Sequence, residues 1–129
     1  MSATLQGLVE RSAVAGRLRC DFKSENKHEN RLPPNVQHEL LRIAQEAIHN
    51  AVRHANPTSI EVSLRGDAPN LVLQVKDNGS GISSVSLGNS EGFGLSNMRA
   101  RATQIGATLE IQTAVGHGTI VMVNVPTSS

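Results

Sequence analysis

The 129-residue length suits one domain with one core, and 38% apolar residues can pack an interior. No apolar run nears the ~20 residues of a spanning helix, and the N-terminus MSATLQGLVERSAVAG lacks the pattern of a signal peptide. Twelve basic against eleven acidic residues give no electrostatic reason for a nucleic-acid or membrane partner, and with no Trp or Tyr and only two Phe there is no base-stacking platform.

In chain order, residues 3–15 look weakly helical. Residues 17–23 alternate Leu18, Cys20 and Phe22 with charged residues, predicting a half-buried strand. Cys20 is the single cysteine, which excludes an internal disulfide, fits a reducing compartment and reads as a core residue. SENKHEN is a polar loop. Pro33-Pro34 then opens a long helix that ends before Asn56-Pro57. At 100° per residue, Leu40, Leu41, Ala44, Ala47, Ile48, Ala51, Val52 and Ala55 share one face. Glu39, Arg42, Glu46, His49, Asn50 and Arg53 share the other, with Ile43 falling inside the polar arc.

Ile60, Val62 and Leu64, then Leu71, Leu73 and Val75, alternate with polar residues on either side of GDAPN and predict an antiparallel hairpin. The second strand runs into DNGSGI at residues 77–82. Residues 83–91 are small and polar and read as a mobile loop. In GFGLSNMRARATQIG, Leu95, Met98, Ala102 and Ile105 have helical spacing, with Gly106 at the exit. ATLEIQT and GTIVMVNVP are two more strands, the second apolar on both faces as a central, covered strand is. The expected fold class is α+β, a two-layer sandwich with a mixed, mainly antiparallel sheet and helices on one face.

Three stretches carry chemistry. Glu46 and Asn50 lie one turn apart on the long helix, with Arg53 continuing the stripe and His54 beside it. An amide oxygen suits Mg²⁺ when phosphates supply the other ligands, a glutamate can hold a metal-bound water, and an arginine can neutralise phosphate. Read alone, this is more often a solvated helix face. In DNGSGI, Asp77 at a strand end can accept from the exocyclic amine of adenine, while Gly79 and Gly81 allow close backbone approach. The plain alternative is an Asx-type turn, and a calcium loop is excluded because its alternating acids and distal glutamate are missing. In GFGLSNMRARA, Gly92 and Gly94 lead into a helix N-terminus, whose free N–H groups suit phosphate. It is not a dinucleotide fingerprint, because Asn97 replaces the third glycine, nor a P-loop, because no Gly-Lys-Ser/Thr follows.

Taken in order, these stretches resemble the GHKL ATPase superfamily, with its Bergerat fold. QEAIHNAVRHA resembles the N box, DNGSGI the G1 box and GFGLSNMRARA the G2 box, and GHGTIVMVNVP resembles the closing strand with its adenine-side Thr119. The likeness spans residues 16–126. It is strongest to sensor histidine kinases paired with LuxR-type response regulators, through LPPNVQHELLRIAQEAIHNAVRHA and the Gly-Leu-x-x-Met-Arg run.

The resemblance implies an ATP-binding catalytic domain over 16–129, preceded by a helical remnant or linker over 1–15. ATP and Mg²⁺ would be its cofactors. Asn50 would bind Mg²⁺, with Glu46 as its acidic companion. Arg53 and His54 would face the phosphates or ribose. Asp77, Gly79, Gly81, Ile82 and Thr119 would form the adenine pocket, and Gly92, Gly94 and Leu95 would hinge a lid over the phosphates. The γ-phosphoryl group would pass to a histidine on a dimerisation hairpin absent from this chain, and onward to a response regulator. The expected fragment is a monomer that binds ATP without phosphorylating itself, cut from a homodimeric kinase whose catalytic domain lies in the cytoplasm. His38-Glu39 looks like a phosphoacceptor pair but falls inside the long helix. The branch often has Tyr where Leu41 stands and Glu where Ala100 stands; both lie outside the ATP contacts. The alternatives are a free-standing anti-sigma-factor serine kinase of the same superfamily and a non-catalytic interaction module.

Overall fold

The computed structural model describes residues 6–11, 19–25, 32–52, 58–67, 70–79, 95–114 and 118–126. After a short helix, α1, over residues 6–11, the order is β1 (Arg19–Glu25), α2 (Pro34–Asn50), β2 (Ser59–Asp67), β3 (Asn70–Asp77), α3 (Leu95–Gln104), β4 (Thr108–Ala114) and β5 (Gly118–Pro126). The strands form one five-stranded sheet in the order β1-β2-β3-β5-β4. β1 runs parallel to β2, and every other pair is antiparallel. The expected α+β class holds.

α2 starts as its prolines require. Pro34 occupies the first turn, where its missing N–H costs nothing, and the Pro33 carbonyl accepts from Val36 and Gln37. The α-helix passes into a π-turn at residues 51–52. Residues 53–57, where the expected helix end falls, lie outside the described residues. α3 closes as Gly106 predicts: with φ at 70°, its N–H reaches the Thr103 carbonyl while the Ala107 N–H reaches Ala102. This pair of bonds is a Schellman closure.

The core lies between the helices and one sheet face. Ile60, Val62, Leu64, Leu71, Leu73, Val75, Val121, Val123 and Val125 come from the strands, and Leu40, Ile43, Ala44, Ala47, Ile48, Ala51, Met98 and Ala102 from the helices. Val9 of α1 joins them.

Arg19–Glu25 is strand, with Cys20 and Phe22 half-buried as expected, and the first two residues of the expected strand, 17 and 18, lie outside the described residues. Two expectations are corrected. Ile43 is not on a polar face, since it is 0% exposed. α3 packs along that edge of α2, where Arg101 pairs with Glu39 at 2.8 Å, so the edge is an inter-helix seam. β5 is central but covered on one face only. Ile120 and Met122 on its outer face are half-exposed, because the helices that fill the core all pack on the opposite face.

Candidate functional site

Alternation along β3 and β5 builds the site. On β3, Leu71, Leu73 and Val75 point into the core, and the next position in phase is Asp77. On β5, Val125, Val123 and Val121 do the same, and the next in phase is Thr119. The register sets Asp77 directly opposite Thr119, and Thr119 opposite Thr113 of β4. On the other side Asp77 faces Ile60, which in turn faces Cys20. One layer of the sheet therefore runs Cys20, Ile60, Asp77, Thr119, Thr113, apolar at one end and hydrogen-bonding at the other.

Asp77 is 6% exposed and so is Thr119; no other polar or charged residue is buried to this degree among those described. Burial pushes the Asp77 carboxyl above the usual carboxylate range, while bonds from the Gly79 and Thr119 backbone N–H groups pull it partly back. The Gly79 N–H donates to Asp77 Oδ1 at 2.8 Å. This is the Asx turn that the sequence allows, so the turn reading and the recognition reading describe the same carboxylate. A carboxylate is not buried to complete a turn, because a surface Asp completes one without desolvation. The arrangement is that of a polar floor, acceptor-rich, under a backbone thinned by glycine.

Three residues that sequence reasoning passed over support this floor. Asn78 accepts from the Thr58 and Ser59 N–H groups at 3.0 and 2.9 Å and donates to Thr58 Oγ1 at 2.8 Å, tying the end of β3 to the start of β2. Gly118 has φ at 88°, and a Cβ there would overlap the Asp77 carbonyl oxygen. Thr113 Oγ1 lies 3.1 Å from Thr119 Oγ1 and 3.3 Å from the Gly118 carbonyl. The signal for Thr113 and Thr119 was available: each ends an apolar alternation on a hydroxyl.

Glu46 and Asn50 lie on α2, both half-buried, and Glu46 is at the edge facing α3. Glu46 shares a small cleft with Arg42, Gln45, Asn97, Met98 and Arg101. Among the described residues no three His, Cys, Asp or Glu side chains cluster to hold a metal ion. A cation bound at Asn50 would therefore need oxygens from its ligand, which fits a phosphate-bearing partner and an amide donor. Arg53, His54, Gly81, Ile82, Gly92 and Gly94 lie outside the described residues. Leu95 begins α3, and its side chain lies outside them too.

Residues 35–129 match the family described as histidine kinase-, DNA gyrase B- and HSP90-like ATPase. The chain is 40% identical over 96 residues to the sensor protein VraS of Staphylococcus haemolyticus, and equally to that of Staphylococcus aureus. Each match covers 74% of this chain, and it spans only 27% of those relatives' length. In fold, the chain is similar to the histidine kinase domain of a blue-light activated kinase from Erythrobacter litoralis, with a TM-score of 0.83 at 19% identity over 97% of this chain and 60% of that one. It is also similar to the Acinetobacter baumannii histidine kinase AdeS, with a TM-score of 0.75 at 13% identity over 98% and 64%. No described helix is long and apolar enough to cross a membrane. The chain belongs to the histidine kinase-, DNA gyrase B- and HSP90-like ATPase family.

Proposed function

We propose that residues 16–129 bind ATP with Mg²⁺ and donate its γ-phosphoryl group to a histidine on a dimerisation domain outside this chain, with residues 1–15 connecting the two. The observation that carries this reading is the buried Asp77 carboxylate, held by the Gly79 and Thr119 N–H groups at the end of a core strand. Its free acceptor capacity suits the exocyclic amine of adenine, and Thr119 beside it adds a hydroxyl.

Asn50 would hold Mg²⁺ through its amide oxygen, and Glu46 one turn back would hold a metal-bound water or take a proton. The bound cation neutralises charge on the phosphates. Arg53 and His54 would face phosphate or ribose, Gly81 and Ile82 would complete the adenine wall, and Gly92, Gly94 and Leu95 would offer N–H groups to phosphate. A neutral imidazole nitrogen attacks the γ-phosphorus, the bond to the bridging oxygen breaks, and ADP leaves. The parent kinase is then a homodimer that passes the phosphoryl group to a LuxR-type response regulator, with this domain in the cytoplasm. That pairing is supported by the Leu-Pro lead-in to the N box and by the Gly-Leu-x-x-Met-Arg run.

The deciding experiment is calorimetric titration with a non-hydrolysable ATP analogue, with and without Mg²⁺, beside Asp77→Asn and Asn50→Ala. Binding strengthened by Mg²⁺, lost in the first variant and made Mg²⁺-independent in the second, is expected. Absence of binding in the unaltered protein overturns the reading.

A further inference from the structure

β1 is an edge strand: it pairs with β2 on one side and, among the described residues, with no strand on the other. The ladder fixes which of its backbone groups point outward. The Arg19 N–H reaches the Thr58 carbonyl, so in this parallel pair the odd-numbered residues of β1 turn their N–H and C=O toward β2. The N–H and C=O of Cys20 and Phe22 therefore point out from the sheet edge. Exposed edges are commonly guarded by charge, lysine above all, which repels a second strand. This edge instead carries the two signs in strict alternation, as Arg19, Asp21, Lys23 and Glu25.

That alternation is complementary to itself. With a second β1 laid antiparallel and Phe22 opposite Phe22, the two residues exchange N–H and C=O across a two-fold axis. Asp21 then falls opposite Lys23 of the other copy, twice by symmetry, and Arg19 falls opposite Glu25. These charged positions are the non-hydrogen-bonded pairs of the new ladder, where facing side chains lie closest. Sliding one strand by two residues keeps the outward groups facing but sets Asp21 on Asp21 and Arg19 on Lys23, or Lys23 on Lys23. The charges thus select one register. Both have capacity for the new partner. Asp21 accepts from Arg19 on Oδ2 at 3.1 Å, which leaves Oδ1, and Lys23 lies 3.6 Å from Glu61 with its side chain still 69% exposed. On the opposite face, Cys20 and Phe22 are half-buried at the rim of the core, and pairing covers part of what they still expose.

We propose that β1 is a self-association edge: two copies of this chain pair antiparallel about Phe22, joining their sheets into one, with the Asp21–Lys23 contacts fixing the register. One strand pair covers far less than the ~1,200–2,000 Å² of a stable interface, so the association is weak, with a dissociation constant of about 10⁻⁴ M. The dilute chain stays the monomer expected from its sequence, and pairing appears with concentration. It needs no nucleotide.

The test is sedimentation equilibrium of the 129-residue chain, to roughly tenfold above that dissociation constant. It compares the unaltered protein, Asp21→Lys, Lys23→Asp and an equimolar mixture of the two variants. Circular dichroism and thermal unfolding of each variant report the fold; both positions are on the sheet surface. Either change alone sets like charges opposite at both symmetry-related contacts and should weaken pairing by about tenfold or more. In the mixture, the two lysines of one variant face the two aspartates of the other, so one-to-one pairs should form with close to the unaltered affinity. Unaltered protein that stays monomeric across the range overturns the proposal. So do single variants that pair as well as the parent, and so does a mixture of folded variants that stays monomeric, since the charges would then not meet across the two-fold axis.

Discussion

Gly118 is pressed against the main chain of Asp77. With φ at 88°, a Cβ at this position would overlap the Asp77 carbonyl oxygen and come within 3.1 Å of its carbon. The glycine therefore sets how closely β5 can lie on β3 at the one layer where both strands carry polar side chains. Gly118→Ala adds left-handed strain, about 1–2 kcal/mol, to a backbone clash that no rotamer can relieve. The expected total is about 3 kcal/mol or more. Thermal unfolding should fall by roughly 10 °C. Because the clash is with Asp77 itself, nucleotide affinity should drop beyond what partial unfolding explains. A variant as stable as the parent would show that β5 can shift without cost.

Much of this was legible in the sequence because period-2 alternation is strong. Leu71, Leu73 and Val75 place Asp77 on the core side, and the matching series on β5 places Thr119 there. What alternation cannot give is the partner across the sheet. Asp77 meets Thr119 through a strand pairing separated by a helix and another strand, and the Thr113–Thr119 contact depends on that same register. Asn78 was invisible for the opposite reason: its side chain reads as a turn former, and its partners, Thr58 and Ser59, come together with it only after folding.

Ile43 shows how a helix can be misread by its period alone. Its angular position puts it among Glu39, Glu46 and Asn50, yet it is fully buried, because a second helix covers that edge. Ile43→Ala should therefore cost about 2–5 kcal/mol, as for a core residue, and not the few tenths expected of a solvated face. Urea unfolding measures the difference directly. The Glu39–Arg101 pair across the same seam is half-exposed and is worth at most about 1 kcal/mol. Exchanging its charges, Glu39→Arg with Arg101→Glu, should recover most of what either single change loses.

Asn78→Ala should separate scaffold from recognition. The side chain satisfies two backbone donors at the start of β2 and bonds the Thr58 hydroxyl, all at an exposed position where water can replace it. The expected loss is about 1–2 kcal/mol, with a lower urea midpoint and unchanged slope. Near saturation the folded variant should still bind ATP, since Asp77 keeps its bond from Gly79. If Asn78→Ala abolished binding in a protein that remained folded, the β2–β3 tie would belong to the recognition site itself.

The pH dependence follows from Asp77. Its carboxyl is raised above 3.8, first by burial, with the Gly79 and Thr119 N–H groups only partly opposing. The folded protein therefore holds this proton to higher pH than the unfolded chain does. In the window from about 3.8 up to the raised folded value, rising pH removes stability, because the unfolded state ionises first; above the window the loss is complete. Nucleotide binding has the opposite sign. A donor from adenine favours the carboxylate, so affinity should increase as pH passes up through the folded value, and binding within that window should release a proton. Calorimetry in buffers of different ionisation enthalpy measures that release, and Asp77→Asn should abolish it. A release that persists in the variant would assign the titration to another group and remove Asp77 from the adenine contact.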